Sequence, residues 1–174
     1  MIKNLLSVIA IGRNEAENIL PLYVSLESLL KALPCETIYV DSASTDESAS
    51  IASKVFTRTI VLDESPNSCA SAGRNVGARF SRGDWLLFLD GDMQLVKTFG
   101  QEIASHIAAG DECVGLVGTY VHVFNDGTER RWTPETDRSG NVMRFGGAVL
   151  LHRSMLQVEN WDPRLYSNEG AGLI

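Results

Sequence analysis

Two carboxylates spaced two residues apart directly follow a run of large apolar side chains. The run extends from Trp85 to Leu89, and the acids are Asp90 and Asp92, with Gly91 between them. Such a run is typical of a strand buried on both faces of a parallel sheet, and ligands bind beyond the carboxyl ends of such strands. Two hard oxygen ligands at this spacing suit Mg²⁺ or Mn²⁺ together with substrate phosphates. The pattern therefore indicates a metal–diphosphate site, with an Asp-Gly turn after the strand as the open alternative.

Two further side chains could bind a ligand at the same sheet edge. Asp41 ends a second predicted strand, where a carboxylate can accept hydrogen bonds from a ribose hydroxyl or a base N–H. The alternative is that Asp41 only begins a turn. Arg74 lies in a helical pattern with Gly73 and Gly77 and could pair with a phosphate or stack on a base, or else be a solvated helix arginine. Glycines inside a helix mark close backbone packing or an approaching ligand.

Alternating strand and helix patterns supply the elements that must position these residues. The alternation is typical of an α/β fold with a parallel sheet. The predicted strands are residues 5–11, 37–40, 55–62, 85–89, 114–124 and 128–132, with a further apolar segment at 144–152. The predicted helices are residues 14–33, 44–54, 70–80 and 97–109.

Short local signals predict where some of these elements begin. Asn14 with Glu17, and Ser44 with Glu47, resemble capping boxes, in which a capping side chain precedes an acid by three residues. The sequence at 125–127, Asn-Asp-Gly, predicts a hairpin turn because these residues tolerate positive φ. The polar stretch 133–141 predicts a mobile loop.

Composition limits the classes of protein that the chain can belong to. Its 174 residues suggest one domain. Fifteen Lys and Arg against 22 Asp and Glu give a net charge of −7, which disfavours sequence-independent binding to nucleic acid. Cys35, Cys69 and Cys113 are far apart, which is typical of free thiols in a reducing compartment. No apolar stretch is long enough to span a bilayer, so we expect a cytoplasmic protein, with peripheral contact at the inner membrane face left open.

In combination, these segments resemble glycosyltransferase family 2, which has the GT-A fold. The family pattern is a strand, Asn-Glu at a helix start, Val-Asp-x-x-Ser-x-Asp, Ala/Gly-Arg-Asn-x-Gly and Phe-Leu-Asp-x-Asp, and this chain resembles all five in order. Residues 144–148 and 161–165 are similar to the family's acceptor-side segment. The resemblance implies a mostly parallel, Rossmann-like sheet flanked by helices, with a small antiparallel part toward the C-terminus. It also implies a single domain over 1–174, with a nucleotide-binding half to about residue 110 and an acceptor-side half from about residue 111.

The function implied by the resemblance is transfer of a sugar from a nucleotide-sugar donor to a hydroxyl group, with inversion and with Mn²⁺ or Mg²⁺. The acceptor would be a glycan, a lipid-linked molecule or a small molecule. Carried over residue by residue, Asp41 and Arg74 would hold the nucleoside, Asp90 would lie near the ribose and the metal, and Asp92 of the Asp-x-Asp motif would be the principal metal ligand. The remaining donor-side residues would be Ile11, Arg13 and Glu15.

The general base that such a displacement needs is implied to be Glu169. It lies where the family typically has Glu-Asp, although the second acid is here Gly170. The alternative is an exposed loop carboxylate. Because the chain ends soon after Glu169, we also expect a C-terminally truncated member of the family.

Two other functions stay open at this stage. A nucleotidyltransferase also places carboxylates and a metal at a sheet edge, but it should have a basic Gly-rich loop after the first strand, where this chain has Gly12-Arg13-Asn14-Glu15. A non-catalytic nucleotide-sugar-binding module is favoured by Gly170. The sequence does not determine the base, the sugar, the acceptor or the oligomeric state.

Overall fold

The computed structural model describes residues 4–64, 69–110, 115–124, 126–136, 142–144 and 147–156. The strands are β1 (Leu6–Gly12), β2 (Cys35–Asp41), β3 (Arg58–Val61), β4 (Trp85–Asp90), β5 (Gly115–Val117), β6 (Tyr120–Val123), β7 (Glu129–Trp132), β8 (Glu135–Thr136), β9 (Val142–Arg144) and β10 (Val149–His152). The helices are α1 (Ile19–Ser25), α2 (Glu27–Ala32), α3 (Ser48–Val55), α4 (Ala70–Phe80) and α5 (Lys97–Ala109), and a 3₁₀ turn covers Arg153–Met155.

A six-stranded sheet in the order β3-β2-β1-β4-β10-β5 forms the centre of the fold. β3, β2, β1 and β4 are parallel, whereas β10 is antiparallel to both β4 and β5. Two small antiparallel pairs, β6–β7 and β8–β9, lie in the second half of the chain. The predicted α/β class, with a mostly parallel sheet and a small antiparallel part toward the C-terminus, is confirmed.

Apolar side chains cover both faces of this sheet. Along β4, Leu87 and Leu89 belong to a core cluster with α1, α2, α3 and α5, while Leu86 and Phe88 belong to a second cluster under α4. All four are at most 1% exposed. The apolar run before Asp90 is therefore a strand buried on both faces, as predicted.

The first predicted helix is divided into α1 and α2 at Leu26. The Ser25 hydroxyl donates to the Leu22 carbonyl at 2.6 Å and accepts the Leu95 N–H at 2.9 Å. Because the Leu95 contact joins residues 70 positions apart, the local pattern of the sequence does not contain it.

The two predicted capping boxes are wrong, because their polar side chains link two loops to each other. The Asn14 N–H donates to Ser44 Oγ at 2.8 Å, and Asn14 Oδ1 accepts the Thr45 N–H at 2.8 Å. Asn14 has a φ of 58°, which is not helical. The α3 helix begins at Ser48, whose N–H is accepted by Asp46 Oδ1 at 2.9 Å. The β1–α1 and β2–α3 loops are thus tied together.

Several predicted bounds in the rest of the chain also change. The predicted strand 114–124 is two strands of different sheets, β5 paired with β10 and β6 paired with β7, and Gly118 between them lies against the Phe99 ring. The predicted hairpin is confirmed as β6–β7, with Gly127 at a φ of 80°. β8 lies in the stretch predicted as a loop, and α3 continues to Val55, which shortens the predicted third strand.

A buried polar network ties together the amino ends of the central strands. Glu36 accepts hydrogen bonds from Ser7 Oγ at 2.6 Å and from Arg82 Nε at 3.0 Å. Ser7 Oγ in turn accepts the Gly83 N–H at 2.8 Å, and Arg153 Nε donates to the Gly83 carbonyl at 2.6 Å.

No helix of the described residues is long and apolar enough to cross a membrane.

Candidate active site at the carboxyl edge of the sheet

The candidate acids lie side by side at one edge because of the parallel register. Gly12 pairs with Asp41 on one side of β1, and Ile11 pairs with Asp90 on the other. Two steps of the usual strand spacing separate β2 from β4, which is roughly 10 Å. The edge is therefore wide enough for a nucleotide to extend from Asp41 to Asp90.

Asp90 forms an ion pair with Arg74 of α4. Arg74 Nη2 donates to Asp90 Oδ1 at 2.7 Å, and the two side chains are 8% and 33% exposed. The solvated-arginine alternative is therefore wrong. Burial raises the pKa of Asp90, the Asp92 charge raises it further, and the Arg74 guanidinium opposes both. A cation bound beside Asp90 would oppose the Asp92 repulsion and stabilise the charged form of the Asp90 carboxylate.

Two glycines in α4 bring Arg74 to this position. A Cβ on Gly77 would overlap Cγ2 of Ile9, and a Cβ on Gly73 would lie 3.2 Å from Cγ2 of Ile11. Both contacts are with side chains of β1, so the close-packing interpretation of these glycines accounts for them. Ile11 itself is 4% exposed and packs beneath α4.

Gly147 packs against the other side of the Asp90 carboxylate. A Cβ on Gly147 would overlap Asp90 Oδ2 and would lie 2.8 Å from Cε of Met93. The segment predicted as acceptor-side therefore contacts Asp90 directly, just before β10 begins.

Asp92 is exposed, and the packing of Gly91 places it at the rim. A Cβ on Gly91 would lie 3.0 Å from both the Ile11 carbonyl oxygen and Cγ of Glu15. Exposed Asp92 and partly exposed Asp90 offer the hard oxygen donors that Mg²⁺ and Mn²⁺ prefer, so the residues fit such an ion. Among the described residues, no three His, Cys, Asp or Glu side chains converge on one point. An ion here would take its remaining ligands from substrate and water, as Mg²⁺ commonly does.

Asp41 is held in a turn at the end of β2. Its Oδ2 accepts the Ser44 N–H at 2.8 Å, its Oδ1 accepts the Ser44 hydroxyl at 2.6 Å, and the residue is 1% exposed. The structure thus contains the turn of the alternative interpretation. Each carboxylate oxygen still has a further lone pair, so the predicted contact with a nucleoside stays a prediction.

Arg13 and Glu15 lie in the loop after β1. Arg13 Nη2 is 3.5 Å from Glu64 Oε1 in an exposed ion pair. Glu15 is half-buried, and its Oε2 accepts a hydrogen bond from Asn18 Nδ2 at 2.6 Å. The Glu15 N–H donates to Ser48 Oγ at 2.8 Å, which fixes the loop.

Tyr39 is a polar residue at this edge that the sequence pattern did not indicate. It is fully buried, its hydroxyl has no hydrogen-bond partner among the residues that the structure describes, and a Cβ on Gly12 would overlap that hydroxyl. Burial raises the pKa of Tyr39, and the charges of Asp41, Glu15 and Asp46 raise it further. A tyrosine among apolar strand residues looks like a core residue, so only the three-dimensional position of its hydroxyl reveals it.

Glu169 and the segment 161–165 lie outside the described residues, as do residues 145 and 146. The assignment of Glu169 as general base therefore stays a prediction.

The structure is thus an α/β domain with acids and an arginine at the carboxyl edge of a buried, mostly parallel sheet. The family model of Glycosyl transferase family 2 matches residues 7–162, and the chain belongs to this family. The resemblance drawn from the five sequence segments is confirmed.

Individual known glycosyltransferases are also similar to this chain in sequence or in structure. An uncharacterized glycosyltransferase of Haemophilus influenzae is 47% identical over 57 residues, which are 33% of this chain and 19% of that protein. The crystal structure of S. aureus TarS 1-349 in complex with UDP-GlcNAc has a TM-score of 0.71 at 20% identity and covers 95% of this chain and 51% of its own. The mannosyltransferase PcManGT from Pyrobaculum calidifontis, in complex with GDP-Man and Mn²⁺, has a TM-score of 0.64 at 18% identity, with 95% and 49% covered.

At these identities the structural similarities establish the fold, and the predicted GT-A fold is confirmed. The chain spans about half the length of the two solved structures, and its match to the curated relative covers about a fifth of that protein.

Proposed function

We propose that the protein transfers a sugar from a nucleoside diphosphate donor to a hydroxyl group of a glycan, lipid-linked or small-molecule acceptor, with inversion and with Mn²⁺ or Mg²⁺. One observation carries the proposal: Arg74, Asp90 and Asp92 meet at the carboxyl edge of a family 2 sheet, two strands from Asp41. Structural neighbours in complex with UDP-GlcNAc, and with GDP-Man and Mn²⁺, support the donor class and the cation.

Asp92 and Asp90 would hold the divalent cation. When bound, this ion acts as a Lewis acid that offsets the negative charge on the departing nucleoside diphosphate. Arg74 fixes the orientation of Asp90 through Oδ1, and Gly147 leaves room for the carboxylate on the other side. These contacts keep the Asp90 carboxylate in place before the substrate arrives.

The nucleoside would bind between the ends of β2 and β1. Asp41 would accept from the base or ribose with the lone pairs that Ser44 does not use. Arg13 can exchange its exposed ion pair with Glu64 for the ligand at low cost, because such pairs contribute little free energy. Ile11 would lie beneath the base, and Glu15 would be a further donor-side residue beside the nucleoside.

The acceptor hydroxyl must lose a proton as it attacks the sugar, and Glu169 would take that proton. This role belongs to the acceptor-side half, from about residue 111, which in this proposal approaches the nucleotide-binding half at the Gly147–Asp90 contact.

A thermal-shift panel tests the proposal. The chain is heated with Mn²⁺ and each of ADP, CDP, GDP, dTDP and UDP. A nucleotide at ~100 times its Kd should add about 2.7 kcal/mol of stability, which raises Tm by roughly 5–10 °C in a domain of this size. Asp92→Asn should abolish most of the shift, because the exposed cation ligand is lost.

Asp84→Asn is the matched control, because Asp84 is an exposed acid before the opposite end of the same strand. It should keep the full shift. The proposal fails if no nucleotide stabilises the chain, or if Asp92→Asn responds as the wild type does. Binding without release of nucleoside diphosphate from any nucleotide-sugar would instead favour the non-catalytic binding module.

A further inference from the structure

The Tyr39 hydroxyl is a buried donor at the candidate site, and no described residue forms a hydrogen bond with it. Tyr39 is 0% exposed, and its hydroxyl lies against Gly12 at the end of β1. A buried hydroxyl with no hydrogen bond is unfavourable, so such a group in a native protein calls for an explanation, of which a functional role is one.

Of the three acids that raise the pKa of Tyr39, two already accept a hydrogen bond at each carboxylate oxygen. Asp41 uses both for Ser44. Asp46 accepts from Ser48 at Oδ1 and from the Ala16 N–H at Oδ2. Glu15 accepts only at Oε2, from Asn18, and its Oε1 accepts no hydrogen bond from any described residue. Glu15 therefore has the least engaged carboxylate of the three.

The position of Glu15 brings its carboxylate within reach of Tyr39. Cγ of Glu15 lies 2.9 Å from the point where a Cβ on Gly12 would be, and the Tyr39 hydroxyl overlaps that same point. Rotation about the last bonds of Glu15 would then carry its carboxylate from exposed Asn18 towards the Tyr39 hydroxyl. Cγ of Glu15 also lies 3.0 Å from the point where a Cβ on Gly91 would be. Gly91 is the residue between the two candidate metal ligands in the sequence.

We propose that Tyr39 is a positioning residue for Glu15. When the nucleoside diphosphate binds, Glu15 leaves Asn18 and accepts the Tyr39 hydroxyl at one carboxylate oxygen. The other oxygen then faces the nucleotide and accepts a hydrogen bond from its base N–H or its ribose hydroxyl. This inference rests on the proposed function, since it concerns the donor-bound state of the same site.

Calorimetric titration tests it, with Mn²⁺ and the nucleoside diphosphate that gives the largest thermal shift. Tyr39→Phe should raise Kd about three- to tenfold, the effect of one hydrogen bond. Its midpoint of urea unfolding should equal or exceed that of the wild type, because only an unpaired hydroxyl is removed. Glu15→Gln should also raise Kd, and the double variant should bind no more weakly than Glu15→Gln alone.

Tyr23→Phe is the matched control, because the rings of Tyr23 and Tyr39 both contact the Phe56 ring, with centroids 5.3 and 5.4 Å from it. It should leave Kd unchanged. Equal binding by Tyr39→Phe and the wild type overturns the inference and leaves the proposed function intact. Losses of binding free energy that simply add in the double variant also overturn it, as does a clear loss of stability in Tyr39→Phe. A wild type that binds no nucleoside diphosphate overturns the proposed function, and this inference with it.

Discussion

At the scale of single residues, the Asp90 carboxylate is held from two sides, so its position depends on the absence of a side chain at Gly147. Arg74 contacts Oδ1, while the backbone of Gly147 lies against Oδ2. Neither contact follows from sequence spacing, because 16 residues separate Arg74 from Asp90 and β10 returns to β4 only through the fold. What the sequence did predict is that Asp41, Arg74 and Asp90 share one edge, since alternating strands and helices bring strand ends together.

Gly147→Ala should weaken binding of nucleoside diphosphate with Mn²⁺ at least about tenfold, if the displaced carboxylate costs one charged hydrogen bond. The added methyl overlaps Asp90 Oδ2 and forces the carboxylate away from Arg74. Overpacking of this kind also lowers the free energy of unfolding by ~1–3 kcal/mol. Calorimetric titration and urea unfolding measure the two effects.

The control for this change is Gly100→Ala in α5, where the new methyl would meet Leu95 at an ordinary 3.5 Å. That variant should bind as the wild type does, and it should gain up to about 1 kcal/mol from helix propensity. Unaltered binding by Gly147→Ala would contradict the close contact with Asp90.

At the scale of elements, α4 matters because its small residues let it lie directly on β1. Its bounds and those of α5 agree with the predicted residues 70–80 and 97–109, since a clear helical period and local end signals determine them. The bounds of α1, α2 and α3 do not agree. There, Ser25 and Asn14 form hydrogen bonds to residues 70 and 31 positions away, which no local pattern encodes.

Gly77→Ala should push α4 away from β1 and thereby separate Arg74 from Asp90. Helix propensity gains about 1 kcal/mol, but the overlap with Ile9 costs ~1–3 kcal/mol, so we expect a net loss of stability together with weaker binding. Gly73→Ala is the comparison, because its methyl would approach Ile11 only to 3.2 Å and should have a smaller effect on both measurements. Equal effects of the two variants would show that the overlap at Gly77 is relieved without moving the helix.

At the scale of the whole molecule, the Glu36 network makes stability depend on pH at the edge opposite the site. Burial alone would raise the pKa of Glu36, but hydrogen bonds from Ser7 and Arg82 outweigh it, so the pKa is lowered from its ordinary 4.5. A lowered pKa stabilises the fold above the unfolded-state value, and this contribution is lost as pH falls through the folded-state value. The network should therefore support the fold at neutral pH and fail in acid.

Glu36→Gln should reduce the free energy of unfolding at pH 7 by about 1–3 kcal/mol, the usual cost of weakening hydrogen bonds to a buried charge. The difference from the wild type should shrink as the pH falls below about 4.5, when Glu36 becomes protonated in the unfolded and then in the folded chain. Urea unfolding between pH 3 and pH 7 measures it. Glu27→Gln, which removes an exposed pair with Lys31, should have a smaller effect throughout. A difference for Glu36→Gln that grows on acidification would contradict the assigned sign.

The insertion of β10 between β4 and β5 has a consequence for dissecting the protein. β4 is hydrogen-bonded on one side to β1 and on the other to β10, a strand that comes from the far end of the described chain. Deleting β10 would therefore expose the backbone donors and acceptors along one edge of β4, whose paired residues are apolar. An exposed apolar strand edge of this kind pairs with strands of other chains and promotes aggregation. A shortened chain that keeps only the nucleotide-binding half should therefore also retain Val149–His152 to avoid aggregation.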